Sequence, residues 1–120
     1  MSYRLEFELI GLPKMANQLL RGHWIVKHRH AAKWKLAVAK ATHGKRPPQP
    51  LKKAKLTLVR VSSSEPDTDG LISGFKNLVD GLVECGILEN DKPSNIGVPD
   101  YRWEKGRPGH GKVRVKVEAV

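Results

Sequence analysis

Three aspartates and one lysine are the residues of this chain whose types and spacing suit chemistry. Asp67 and Asp69 form a D-x-D pair, Asp91 sits in the turn-rich segment ENDKPSN, and Lys76 lies between them in sequence. D-x-D sets two hard oxygen ligands within a few ångströms of each other, and Mg²⁺ binds through one or two carboxylates with substrate phosphate completing its shell. Such an ion activates water and neutralises the charge that develops on a phosphodiester, whereas bare carboxylates repel a polyanion. A lysine beside the phosphate stabilises the same charge. The expected catalytic set is therefore Asp67, Asp69, Asp91 and Lys76, with the three acids as metal ligands. Each residue also has a plain structural reading: Asp67 or Asp69 as the N-cap of the helix that follows, and Lys76 as the i,i+4 partner of Asp80.

The charge balance narrows the partner. Among 120 residues, 22 Lys and Arg against 12 Asp and Glu leave a formal +10, which predicts attraction to a polyanion, nucleic acid first. No membrane partner is expected, because no basic amphipathic helix with a Trp/Leu/Phe face stands out and no apolar run approaches the ~20 residues needed to cross a bilayer. MSYRLEFELIG alternates charge and apolarity, unlike a signal peptide. The single cysteine, Cys85, can form no internal disulfide and reads as a small buried hydrophobe. Both features point to the cytoplasm.

Two basic segments are candidate DNA-binding surfaces. Arg21, His23, Lys27 and Arg29 surround Trp24, while Lys105, Arg107, His110 and Lys112 flank a glycine-rich connector. Contacts of this kind give salt-dependent affinity without reading sequence. A solvated positive surface is the alternative for each residue. Trp34 and Trp103 fall on apolar faces and are expected in the core, which leaves Trp24 open to stack on bases. His23, His28 and His30 come without an H-E-x-x-H pattern or a cysteine pair, so zinc is not expected.

Periodicity gives the elements that must position these groups. Residues 3–10 alternate, with Leu5, Phe7 and Leu9 on one side, and predict a strand. The stretch to Arg29 shows no clear period and reads as a loop. From His30 to His43, Ala31, Trp34, Ala37, Val38 and Ala41 recur at helical spacing, with Gly44, Pro47 and Pro48 as the stop. Residues 54–62 alternate as a second strand. Leu71, Phe75, Leu78, Val79, Leu82 and Val83 predict one amphipathic helix from about Gly70 to Cys85. Two further alternating runs, 96–104 and 112–118, joined by KGRPGHG, predict a hairpin. The order β-α-β-α-β-β implies a single α+β domain over residues 1–120, a mixed four-stranded sheet with helices packed on it.

The stretch DTDGLISGFKNLVDGLVECGILEND resembles the central signature of the RusA family of Holliday junction resolvases, approximately D-x-D-N-L-x-K-x-x-x-D-x-L followed by a glycine, two hydrophobic residues and a paired acid. Asp67 and Asp69 match the first acids, Lys76 with Asp80 and Leu82 matches K-x-x-x-D-x-L, and Asp91 matches the second acid of the final pair. Gly70 stands where the family often has Asn, Asn90 replaces the first acid of the final pair, and three extra residues separate Asp69 from Lys76. The resemblance implies a homodimer that binds four-way DNA junctions and nicks two opposing strands symmetrically, with Mg²⁺ or Mn²⁺ as cofactor.

A helix from Gly70 to Cys85 would be ~24 Å long and would leave Asp91 beyond its far end. Either Asp91 returns along the helix, or Asp91 or Lys76 acts at the partner's site across a two-fold dimer. Two other functions share these features: a basic module that binds nucleic acid without cutting it, and a nuclease for flaps or other branched DNA.

Overall fold

A computed structural model of the chain describes residues 3–15, 18 and 24–120. Four strands, β1 (Arg4–Ile10), β2 (Ala54–Ser62), β3 (Asp100–Lys105) and β4 (Lys112–Ala119), form one sheet in the order β1-β4-β2-β3. Among the described residues four helices accompany it: α1 (Trp24–Ala41), α2 (Thr68–Ser73), α3 (Lys76–Glu84) and the single turn α4 (Pro93–Ile96). The expected α+β class and mixed four-stranded sheet are thus observed. None of these helices is long and apolar enough to cross a membrane.

The last two strands do not form the expected hairpin. β3 pairs parallel with β2, while β4 pairs antiparallel with both β2 and β1, so β2 lies between β3 and β4. The cause is β2 itself. Leu56 and Leu58 face the helices, yet Val59 and Val61 on the opposite side are also buried, and a strand apolar on both faces takes a central position. The parallel β2–β3 pair needs a crossover, which residues 63–99 supply with α2, α3 and α4. The glycine-rich connector passes the end of β2, tied there by Gly106 N–H donating to the Ser62 carbonyl at 2.9 Å.

The core lies between one sheet face and α1 and α3. Leu5, Leu56, Leu58, Val113, Val115 and Val117 meet Trp34 and Val38 from α1, Leu78 and Leu82 from α3, and Phe75 just before it. Phe75 is 1% exposed, and its truncation to Ala would cost about 3–5 kcal/mol. The two helices approach closely at Gly81, where a methyl would stand 3.2 Å from both Lys35 Cα and Val38 Cβ.

Two helix boundaries differ from those expected. α1 starts at Trp24, so residues 24–29 are helical and not loop. The helix expected over 70–85 is two helices, parted at Gly74 and Phe75. Ser73 Oγ donates back to the Gly70 carbonyl at 3.3 Å, Gly74 follows with its low helix propensity, and Phe75 turns into the core. Both pieces keep their apolar residues in phase, which is why the sequence pattern runs through the break.

Candidate active site

Asp67 and Asp69 occupy the start of α2. Asp67 is its N-cap, with extended backbone, and Oδ1 accepts from Gly70 N–H at 2.7 Å. Asp69 lies in the first helical turn, where a carboxylate meets the positive end of the helix dipole. Both side chains are exposed. The N-cap reading of Asp67 therefore holds, and it leaves Oδ2 pointing to no protein donor among the described residues. Gly70 is buried beneath the pair: a methyl there would stand 2.6 Å from Met15 Sδ and 2.7 Å from Asp67 Oδ1. Glycine at this position lets Met15 pack directly under the D-x-D turn.

Lys76 opens α3 and is exposed. Its Nζ lies 3.0 Å from Asp80 Oδ1, the expected i,i+4 pair, and 3.8 Å from Asp91 Oδ2. The hydrogen bond to Asp80, reinforced by the charges of Asp80 and Asp91, holds the ammonium above its ordinary range. Lys76 is thus a fixed cation and not a proton acceptor near neutral pH. Asp69 and Ser73 belong to α2, and Lys76 and Asp80 to α3.

Asp91 comes back to Lys76 within one chain. After Cys85 the backbone reverses, Ile87 and Leu88 bury in the core, and Leu88 forms a parallel bridge with Leu51. Leu51 N–H donates to the Ile87 carbonyl and Glu89 N–H to the Leu51 carbonyl, at 2.9 and 3.0 Å. That track carries Asp91 towards the beginning of α3. The structure therefore gathers Lys76, Asp80 and Asp91 at the start of α3, and Asp67 with Asp69 at the start of α2, a six-residue helix about 9 Å long. Among the described residues no three His, Cys, Asp or Glu side chains are placed to share one metal ion. Comparison of the chain with protein-family models and with curated proteins finds no match.

The donor set itself suits a hard cation. Asp67, Asp69 and Asp91 offer exposed carboxylate oxygens and no sulfur or imidazole, the ligand type that Mg²⁺ takes alongside water and phosphate.

Of the expected DNA-binding residues, Arg21 and His23 lie outside the described residues. Lys27 and Arg29 are exposed on the first turns of α1, Lys105 ends β3, and Arg107 is exposed in the connector; among the described residues none of the four makes an ion pair. Lys112 is half-buried and pairs with Glu8 at 3.4 Å. Trp34 is buried as expected. Trp103 is half-buried, with its indole N–H donating to Ser62 Oγ at 2.9 Å, and Cys85 is half-buried beside the Thr42 hydroxyl.

Sequence reasoning passed over two groups that brace the site. His30 Nε2 accepts from Lys14 N–H at 2.9 Å while its Nδ1 faces the Asn77 amide at 3.2 Å, so the imidazole links the segment beneath α2 to α3. The Asn77 amide oxygen is the partner this requires, since neutral imidazole has a single N–H and Nε2 is the acceptor. Arg60, 7% exposed, donates from one terminal nitrogen to the Pro13 carbonyl at 3.1 Å. It follows Leu56 and Leu58 on the helix-facing side of β2, and a charged residue in that alternating series is the signal that could have revealed it.

A shallow depression of about 410 Å³ on the opposite sheet face is lined by strand residues alone, including Glu6, Glu8, Thr57, Arg102 and Lys116. Its charges satisfy one another, through Lys116 with Glu6, Lys112 with Glu8 and Arg114 with Glu104. It lies away from the aspartates and is not the candidate site.

Proposed function

We propose that this chain is a Mg²⁺-dependent, structure-specific DNA endonuclease of the RusA kind, a cytoplasmic homodimer that resolves four-way junctions by paired symmetric nicks. The observation that carries the reading is the return of Asp91 to Lys76 in the same chain. Two parts of a spaced signature, separated in sequence by a whole helix, meet in space in a protein with a formal +10 charge.

Asp67 and Asp69 at the start of α2 and Asp91 beside Lys76, which are not placed to share one ion in this arrangement, would have to draw together to hold it, and Mn²⁺ has the same ligand preference. Bound there, the ion supplies an activated water and neutralises charge at the scissile phosphate. Lys76, kept cationic by Asp80 and Asp91, offers a fixed positive charge to the phosphate as its own negative charge grows. Lys27, Arg29, Lys105 and Arg107 neutralise flanking phosphates, and a two-fold dimer sets two such sites at the fixed separation that paired nicks need.

The test incubates the purified protein with a synthetic four-way junction and a matched duplex, with Mg²⁺ or with EDTA. Symmetric nicks in the junction alone, absent in EDTA, support the reading. Nicks on flaps at equal rate would extend the substrate to branched DNA in general. One observation favours a second reading, a nucleic-acid binder without chemistry: Lys76 is engaged by Asp80 and Asp91. Tight junction binding with no nicks in Mg²⁺ or Mn²⁺ would establish that reading.

A further inference from the structure

The first turns of α1 stand clear of the core. Residues 24–29 are all exposed, six consecutive positions, whereas a helix lying on a core buries one side in every turn. Further along, His30 bonds Lys14 and Asn77, and Trp34 and Val38 are buried in the core. A projecting helix end of this size has little stability of its own and persists as a continuation of the packed half.

Its chemistry is one-sided. The sequence WIVKHRHAAKWKLAVAKA contains no Asp or Glu in 18 residues, so no acid of the helix itself offsets the positive end of its dipole or the charges of Lys27, Arg29 and Lys33. Trp24 is 68% exposed at the tip, and Lys27 and His28, three and four residues on, share its side of the helix. A large exposed indole beside cations, on an element without acids, is complementary to a polyanion that also presents a flat aromatic face.

We propose that the exposed end of α1 is a strand-engaging arm, on which Trp24 stacks against an unpaired base at a DNA branch point while Lys27, His28 and Arg29 take the flanking phosphates. The proposal rests on the reading of the chain as a protein of branched DNA and adds how the branch is distinguished from duplex. Phosphates are common to both, so the cations alone cannot discriminate. Bases in continuous duplex keep their faces stacked on each other, whereas a branch offers unstacked bases, and an aromatic side chain stacks on any of them without reading sequence.

Affinities of wild type, Trp24→Ala, Trp24→Phe and the double variant Lys27→Ala/Arg29→Ala are measured for a four-way junction and for the matched duplex, with Ca²⁺ replacing Mg²⁺. Trp24→Ala should weaken junction binding roughly 5- to 150-fold, the affinity equivalent of one stacked base, and leave duplex binding unchanged. Trp24→Phe should keep most of the preference. The double variant should weaken both complexes and flatten their salt dependence. Since position 24 is exposed, unchanged melting temperatures will show that the fold is intact. Junction binding by Trp24→Ala at the wild-type level, or an equal loss on junction and duplex, overturns the stacking role while leaving the nuclease reading in place. Absence of wild-type binding to either DNA overturns both.

Discussion

Asp91 Oδ2 stands 3.8 Å from Lys76 Nζ, so the segment after α3 returns along the helix to its first residue. Asp91 thus meets Lys76 within one chain, apart from Asp67 and Asp69. The contact also fixes what Lys76 can do. An ammonium flanked by two carboxylates stays protonated and acts through charge.

Lys76→Ala should therefore lower the single-turnover nicking rate by about 10²- to 10³-fold, the size seen when one transition-state donor is removed, with junction affinity changed far less. Stability should move by under about 1 kcal/mol, since the pair with Asp80 is exposed. Equal losses in rate and affinity would instead mark Lys76 as an ordinary phosphate contact.

Gly70→Ala places a methyl against Met15 Sδ and Asp67 Oδ1, both of them side-chain atoms that can shift. The expected cost is about 1–3 kcal/mol in thermal unfolding, with part of it recovered in Gly70→Ala/Met15→Ala. Cleavage should fall too, because the displaced carboxylate belongs to the candidate metal set. An unchanged melting temperature would show that Met15 does not pack where the structure places it.

His30 makes stability depend on pH. Burial first, and then the positive charges of Lys14 and Lys33, hold its imidazole below the ordinary range. The unfolded chain then takes up the proton first as pH falls, starting near the unperturbed value of about 6.5. The stabilising contribution is whole above that pH and is lost as pH falls through the lowered folded value. Melts between pH 7.5 and 5.5 should show the decline, and His30→Gln should flatten it. An NMR titration of His30 at or above the unperturbed value would contradict this.

Junction affinity should fall steeply between about 50 and 200 mM salt, and replacing any one of Lys27, Arg29, Lys105 or Arg107 by Ala should reduce the log–log slope by about 1 where that residue contacts a phosphate. A salt-independent dissociation constant would remove the basic surface as the binding face.

How much of this was legible in sequence follows from which interactions are local. Alternation placed β1, β2 and β4 closely, and the apolar positions Leu78 and Leu82, with Phe75 before them, marked the core face of α3. The start of α1 was not legible, because a helix exposed on all sides has no apolar period to read. KGRPGHG has the composition of a hairpin turn, but neighbour choice was decided by the apolar outer face of β2, a property of a distant segment. The D-x-D pair stood out, yet capping and metal binding use the same residues at the same place. The meeting of Asp91 with Lys76 depends on the Leu51–Leu88 bridge, which no local pattern contains.

Cleavage by Asp67→Asn tests the central claim most directly. Asn caps a helix as well as Asp does, so this variant keeps the hydrogen bond to Gly70 N–H and the fold while removing the charge a metal needs. Asp67→Ala, by contrast, should also lose about 0.5–2 kcal/mol of stability with the cap. The account predicts that Asp67→Asn, and likewise Asp69→Asn and Asp91→Asn, melts close to the wild-type temperature, binds the four-way junction at least as tightly, and fails to nick it in Mg²⁺. Nicking by Asp67→Asn and Asp91→Asn at the parental rate would show that these carboxylates serve the fold alone, and the nuclease reading would fall with them.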